Sequence, residues 1–294
     1  MRLAFIFVYV LLSASTQAQH YSPLFRAAMP PDINETSGLI LTDGKLWTIN
    51  DSGNDPILFC IDSADGHITQ RVIIDNYKNI DWEEITADKD YFYIGDFGNN
   101  AGNRGDLKVL KVAKADIGKA AEVHVKAEAI SFSYSDQKEL IKNPYRHNFD
   151  CEAFISIHET LYLFTKNWGD TMTKVYKLSK TPGTYTITPY TSYPVGCVIT
   201  GAAYNESTKD LLLIGYLDFM KHSYIWLFSD YKSDMFFSGK AQMVDISKSP
   251  AWQTEAITFI DKKRFFLSNE TAGGNDAALY IGEIKEIDNK GVKK

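Results

Sequence analysis

Glu35-Thr-Ser-Gly-Leu-Ile-Leu-Thr-Asp43-Gly44-Lys-Leu-Trp47-Thr-Ile-Asn50-Asp51 is the stretch from which the architecture unfolds. Two short apolar runs flank Asp43-Gly44, the strongest two-residue hairpin signal, so the stretch reads as two strands about a tight turn. The layout returns four times. Glu84-Ile-Thr-Ala runs to Tyr93-Ile-Gly-Asp96, and Glu152-Ala-Phe-Ile runs to Leu163-Phe-Thr-Lys166. Gly201-Ala-Ala-Tyr runs to Leu213-Ile-Gly-Tyr216, and Glu255-Ala-Ile-Thr runs to Phe266-Leu-Ser-Asn269. Lead positions 35, 84, 152, 201 and 255 stand 49, 68, 49 and 54 residues apart, and a period near fifty residues marks a repeat architecture.

A second strand pair follows each hairpin. Ile57 to Ile61 and His67 to Ile74 join at Asp65-Gly66, and Lys174 to Leu178 and Thr184 to Thr188 join at Pro182-Gly183. Tyr224 to Phe228 and Ala241 to Ile246 form the pair of the fourth repeat. Many of these strands are apolar on consecutive positions, as strands buried on both faces are. Four-stranded units stacked around an axis supply that environment, which predicts an all-β fold, a β-propeller of five four-stranded blades. The last repeat ends on Ala277 to Ile284, its third strand, and Tyr21 to Met29 from the other terminus is placed to complete it. Closing the ring with strands from both termini removes open edges. The 68-residue interval holds either an insertion or a sixth, degenerate blade within Asp106 to Pro144; five blades with an insertion is the preferred reading. A two-sheet sandwich leaves the period unexplained.

Residues 1–18 read as a secretory signal peptide: Arg2, an apolar run from Leu3 to Leu12, then small residues before a cut at Gln19. The expectation is an exported protein, periplasmic or extracellular, with residues 19–294 as a single propeller domain and no membrane insertion. A formal net charge of −6, without a basic run, gives no electrostatic footprint for nucleic acid. Cys60, Cys151 and Cys197 are too few for a disulfide scaffold, leaving either one bridge, Cys151 with Cys197, or three buried thiols.

The start of a hairpin's first strand and the end of its second lie at the same end. Four lead positions are glutamate: Glu35, Glu84, Glu152 and Glu255. The second strands end in Asp51-Ser-Gly-Asn54, Asp96-Phe-Gly-Asn99, Asn167-Trp-Gly-Asp170 and Asn269-Glu270. Both sets are expected to meet at one mouth of the central channel. Crowded carboxylates need a bound cation, neighbouring Lys or Arg, or proton uptake. Glu35, Asp51, Glu84, Asp96, Glu152 and Glu255 are the candidate ligands for Ca²⁺ or Mg²⁺, which take hard oxygen donors. Lys166 and Arg104 are the candidate internal counter-charges. Together with Trp82, Trp168 and Asn269 they form the candidate ligand-binding set, the two indoles flanking the mouth where a sugar or other ring stacks. The competing reading is structural, with each glutamate accepting backbone N–H groups of the next blade.

The chain resembles a family of bacterial exported propellers, the SdiA-regulated and phytase-like esterase groupings. The resemblance rests on Glu35-Thr-Ser-Gly-Leu, Asn50-Asp51-Ser-Gly, Asp81-Trp-Glu-Glu-Ile85 and Gly95-Asp-Phe-Gly-Asn-Asn100 with Arg104. Asn148-Phe-Asp-Cys-Glu-Ala153, Ile199-Thr-Gly-Ala202 and Thr254-Glu-Ala-Ile257 continue it over nearly the whole chain after the leader. It implies the fold more firmly than an activity. Calcium at the channel mouth binds phosphate in propeller phytases, but the Lys and Arg set such a site also needs is not evident. The expectation is therefore binding of an ion or small molecule at the mouth. A metal-dependent phosphoester or lactone hydrolase using Glu84, Glu152 and Asp96, and a scaffold for envelope proteins, are the alternatives.

Overall fold

A computed structural model describes residues 19–288, which form twenty-three strands, β1 to β23 in chain order, and four short 3₁₀ turns. The segment expected to be a signal peptide lies outside the described residues. Blade 1 contains β3 (Thr36–Thr42), β4 (Lys45–Asn50), β5 (Ile57–Ile61) and β6 (Ile68–Ile74). Blade 2 contains β7 (Trp82–Ala87), β8 (Tyr91–Asp96), β9 (Lys108–Ala113) and β11 (Glu128–Tyr134). Blade 3 contains β12 (Asp150–Ile157), β13 (Thr160–Lys166), β14 (Thr173–Ser179) and β16 (Pro189–Tyr193). Blade 4 contains β17 (Val198–Asn205), β18 (Asp210–Leu217), β19 (His222–Ser229) and β20 (Lys240–Asp245), extended by β1 (Gln19–His20). Blade 5 contains β21 (Thr254–Phe259), β22 (Arg264–Asn269) and β23 (Ala278–Glu283).

The innermost strands β3, β7, β12, β17 and β21 pack side by side in that order, and β21 returns to β3, so the ring is closed. The fold is a five-bladed β-propeller. As expected from the sequence, the N-terminal strand β2 (Leu24–Ala28) pairs antiparallel with β23 and completes blade 5. The first hairpin turns at Asp43 and Gly44 with φ of 52° and 72°, the pair of left-handed conformations such a tight turn requires.

Five hydrophobic clusters hold the ring, one at each blade interface. Strand β18 shows why consecutive apolar residues are needed. Leu211 and Leu213 pack toward blade 3, while Leu212 and Ile214 pack toward blade 5. A strand's side chains alternate between its faces, and here both faces are interior.

The long interval is an insertion and not a sixth blade. Its one added strand, β10 (Glu122–Val125), runs back to blade 1 and pairs parallel with β6, while β9 and β11 are blade 2's own third and fourth strands. One expected pairing is corrected. Thr184 to Thr188 was assigned to blade 3, but β15 (Gly183–Ile187) crosses to blade 2 and pairs parallel with β11; β16 takes its place. The crossing sets Ile187 opposite Tyr134 and buries it in the cluster that holds Phe132. All three cysteines are buried free thiols, with Cys151 in the blade 2–3 core and Cys197 in the blade 3–4 core.

Candidate functional site

All five innermost strands slip register at the same point. The pairing skips Ser37 between Thr36 and Gly38, Glu83 between Trp82 and Glu84, and Glu152 between Cys151 and Ala153. It skips Thr200 between Ile199 and Gly201, and Glu255 between Thr254 and Ala256. A β-bulge frees one residue from the ladder and re-aims its side chain. The structurally equivalent positions are therefore Ser37, Glu83, Glu152, Thr200 and Glu255. This corrects the sequence alignment, which led with Glu35, Glu84 and Gly201. Equivalence runs two residues later in blade 1 and one residue earlier in blades 2 and 4.

The positions after the bulges are Gly38, Glu84, Ala153, Gly201 and Ala256, four small residues and one glutamate. The inner strands approach so closely here that a Cβ on Gly38 would lie 2.6 Å from the Ile85 nitrogen and 2.9 Å from the Glu84 Cα. Gly38→Ala is expected to cost about 1–3 kcal/mol by overpacking, read as a lower urea midpoint with unchanged slope. Glu84 is fully buried and its carboxylate accepts the Ile85 N–H at 2.9 Å and, across the lumen, the Ala202 N–H at 3.2 Å. The structural reading of the lead glutamates places their partners in the next blade; Glu84 is indeed bound by backbone N–H groups, but those of its own strand and of blade 4. Burial raises its pKa, against the opposing pull of the Ile85, Ala202 and Leu39 amides.

Above this layer lies a cavity of about 280 Å³ at the mouth, lined by Asp51, Glu83, Glu152, Lys166, Glu255 and Glu270 among others. Below it a wider bowl of about 660 Å³ opens between the hairpin turns at the other end. Of the six candidate metal ligands, Asp51, Glu152 and Glu255 meet in the mouth cavity. Glu35 stands outside it, half-buried, and accepts from Asn54 Nδ2. Asp96 is 1% exposed and committed: Arg104 reaches it at 2.9 Å and Lys108 at 3.4 Å. Arg104 also bonds Asp106 at 3.2 Å and the Gly98 carbonyl at 2.8 Å, so it buttresses the mouth from behind.

Lys166 and Trp168 line the cavity. Lys166 pairs with Glu152, both almost fully buried, and its ammonium lies 4.9 and 5.0 Å from the ring centroids of Trp168 and Tyr216. Burial pulls the Lys166 pKa down, but Glu152, Tyr216 and Glu255 outweigh it and hold the amine charged. Trp82 is not at the mouth: its side chain is wholly inside the blade 1–2 core. Asn269 is buried and donates to the Glu270 and Asp276 carbonyls, which shapes the loop carrying Glu270.

The residues that complete the site are Asp81, Glu83 and Glu270, with Gln253 and Tyr216 on the walls. Carboxylate oxygens of Asp51, Asp81 and Glu83 all lie within 4.8 Å of one another at the seam of blades 1 and 2. Glu83 is 4% exposed and its Oε1 has no hydrogen-bond partner among the described residues. Burial, then Glu152, Asp51 and Asp81, push its pKa well up. Asp81 is pushed to about 7 by burial and by Asp51 and Asp150, with Arg104 opposing. Glu255 and Glu270 are raised by burial, and Glu255 raises Glu270 further. The mouth therefore gathers more carboxyl groups than its own lysine can offset, and burial and mutual repulsion favour proton uptake by them.

No family model matches the chain, and no curated protein matches it either. Among solved structures, the glutaminyl cyclase of Myxococcus xanthus is similar over 90% of this chain and 97% of its own, at 10% identity and a TM-score of 0.49. A GH43_1 enzyme from Xanthomonas citri is similar over 86% of this chain and 89% of its own, at 12% identity and a TM-score of 0.48. The class is defined by the strand pairing above, a closed five-bladed propeller with an acidic mouth.

Proposed function

We propose that this chain is an exported ligand-binding propeller whose mouth takes a divalent cation, held between blades 1 and 2 by Asp51, Asp81 and Glu83. The observation that carries this reading is Glu83 Oε1, a buried carboxylate oxygen without a partner, beside two more carboxylates. Leaving such an atom unpaired is costly, and a cation removes that cost while attracting the Asp51 and Asp81 carboxylates beside it. Carboxylate oxygens gathered this closely are hard donors, which suit Ca²⁺ or Mg²⁺. The leader-like residues 1–18 support the exported location; sequencing the mature N-terminus, expected at Gln19, checks it.

Ca²⁺, Mg²⁺ and Mn²⁺ titrations followed by melting temperature test the reading. Saturation to a hundred times Kd contributes about 2.7 kcal/mol, which for a domain of this size raises the midpoint by roughly 5–10 °C. Glu83→Gln is expected to abolish most of that rise. Absence of a shift with all three ions rules the cation out.

The hydrolase reading builds on the same ion, which would be held by Asp51, Asp81 and Glu83 and would supply water activation there, with Glu152 or Glu255 placed as the proton acceptor. Its support is the closeness of Glu152 to Glu83, which raises the Glu83 pKa more than any other charge does. Turnover of phosphoesters or lactones that stops on EDTA treatment separates hydrolysis from binding alone.

A further inference from the structure

We propose that the mouth cavity also binds an organic ammonium ion, its charge met by Glu255 and Glu270 and its apolar part by Trp168, Tyr145 and Phe219, which line the same cavity. This extends the reading of the mouth as a ligand site and names a second ligand class for it.

Charge counting comes first. The cavity is lined by the five carboxylates of Asp51, Glu83, Glu152, Glu255 and Glu270 and by one ammonium, that of Lys166. Lys166 is taken by Glu152. A divalent ion at the seam offsets Asp51, Asp81 and Glu83 in large part. Glu255 and Glu270 remain, and neither forms a salt bridge with a lysine or arginine among the described residues. Glu255 is only 6% exposed, so water screens it poorly.

The other side chains lining the cavity decide which cation suits it. The Trp168 indole is fixed by its Nε1–H, which donates to Asp150 Oδ2 at 2.8 Å. Tyr145 stands edge-on to it with centroids 4.9 Å apart, and Tyr145 is 54% exposed. Phe219, 79% exposed, also lines the cavity. Asp218, Phe219 and Met220 carry φ of 51°, 50° and 70°, three successive left-handed residues without a glycine. Such conformations cost energy and persist where the surroundings hold them, clamps over ligands included. A hydrated metal ion gains nothing from aromatic faces, whereas an alkylammonium gains from them and from the carboxylates together. Lys166 already holds its own ammonium between Trp168, Tyr216 and Glu152 by that combination.

Calorimetric titration of the full chain with benzyltrimethylammonium and with benzyl alcohol, in EDTA and again in saturating calcium, tests the proposal. The ammonium is expected to bind at least about tenfold more tightly than the alcohol. Glu270→Gln is expected to weaken it about tenfold, and Phe219→Ala, an exposed position whose change leaves the core intact, about threefold. Glu83→Gln is expected to remove the calcium response and leave ammonium binding in place. Equal binding of the alcohol, no binding of the ammonium, or full affinity in Glu270→Gln overturns the proposal. Competitive displacement of the ammonium by calcium also overturns it, since the two would then share one site. A missing calcium response with intact ammonium binding sinks the metal reading alone.

Discussion

Lys166→Met is expected to destabilise the protein by about 3–5 kcal/mol, read as a fall in the urea midpoint. Lys166 and Glu152 are each 3% exposed, so the substitution strands a carboxylate where water cannot reach it. Removing one partner of a buried pair costs more than the pair contributes, because the survivor keeps its desolvation penalty. Lys166→Met combined with Glu152→Gln is therefore expected to recover most of the loss. Among the described residues, the single variant also removes the one cation lining the mouth cavity. Calcium is expected to stabilise it by more than it stabilises the parent, since the ion then offsets an additional unpaired charge. A near-parental midpoint for Lys166→Met shows instead that Glu152 takes up a proton when its partner goes.

The ring was legible in the sequence because strands buried on both faces leave no choice of residue. Leu211 to Ile214 and Leu161 to Phe164 are apolar without interruption, and the spacing of such runs gives the blade number. The closing strand was legible for a related reason: blade 5 lacked a fourth strand and the N-terminus had one to spare. The crossing of β15 was not legible. Alternation in Thr184 to Ile187 marks a strand, but its partner depends on where Ile187 finds apolar surface, which is tertiary information.

The site was half legible. Glu152 and Glu255 are each followed by alanine and then by a run of apolar and β-branched residues, which marks the bulge and the small position after it. Blade 2 puts a glutamate into that small position, so Trp82-Glu83-Glu84 offers two neighbouring candidates and only the pairing distinguishes them. Aligning Asp81-Trp-Glu-Glu with Asp150-Cys-Glu-Ala assigns Glu83 to the bulge from sequence alone. In blade 1, Glu35 drew the alignment to a position two residues before the bulge, where Ser37 carries no charge to give it away.

In EDTA the melting temperature is expected to fall as pH rises from 5 to 8, and calcium is expected to flatten that fall. The sign follows from Asp81, whose pKa is about 7 in the fold, raised first by burial, against 3.8 in the open chain. Between those values the folded state holds more protons than the unfolded, so stability declines as pH increases. The decline is complete once pH passes the folded value. Acting alone, Asp81 accounts for about 4 kcal/mol across the full window. Glu83, Glu255 and Glu270, also raised by burial, act in the same direction. Asp234 is the opposite case. Lys177, Tyr190 and Tyr162 outweigh its burial and hold it at about 2, so its contribution is lost only on acidification below the ordinary carboxylate range. It adds no slope between pH 5 and 8. A bound divalent ion replaces the protons as the compensating charge and removes the penalty of ionising Asp81 and Glu83, which is why the same protein with calcium should keep its midpoint over that window. A flat profile in EDTA indicates that solvent or internal cations already compensate the mouth, and it leaves the ion nothing to stabilise.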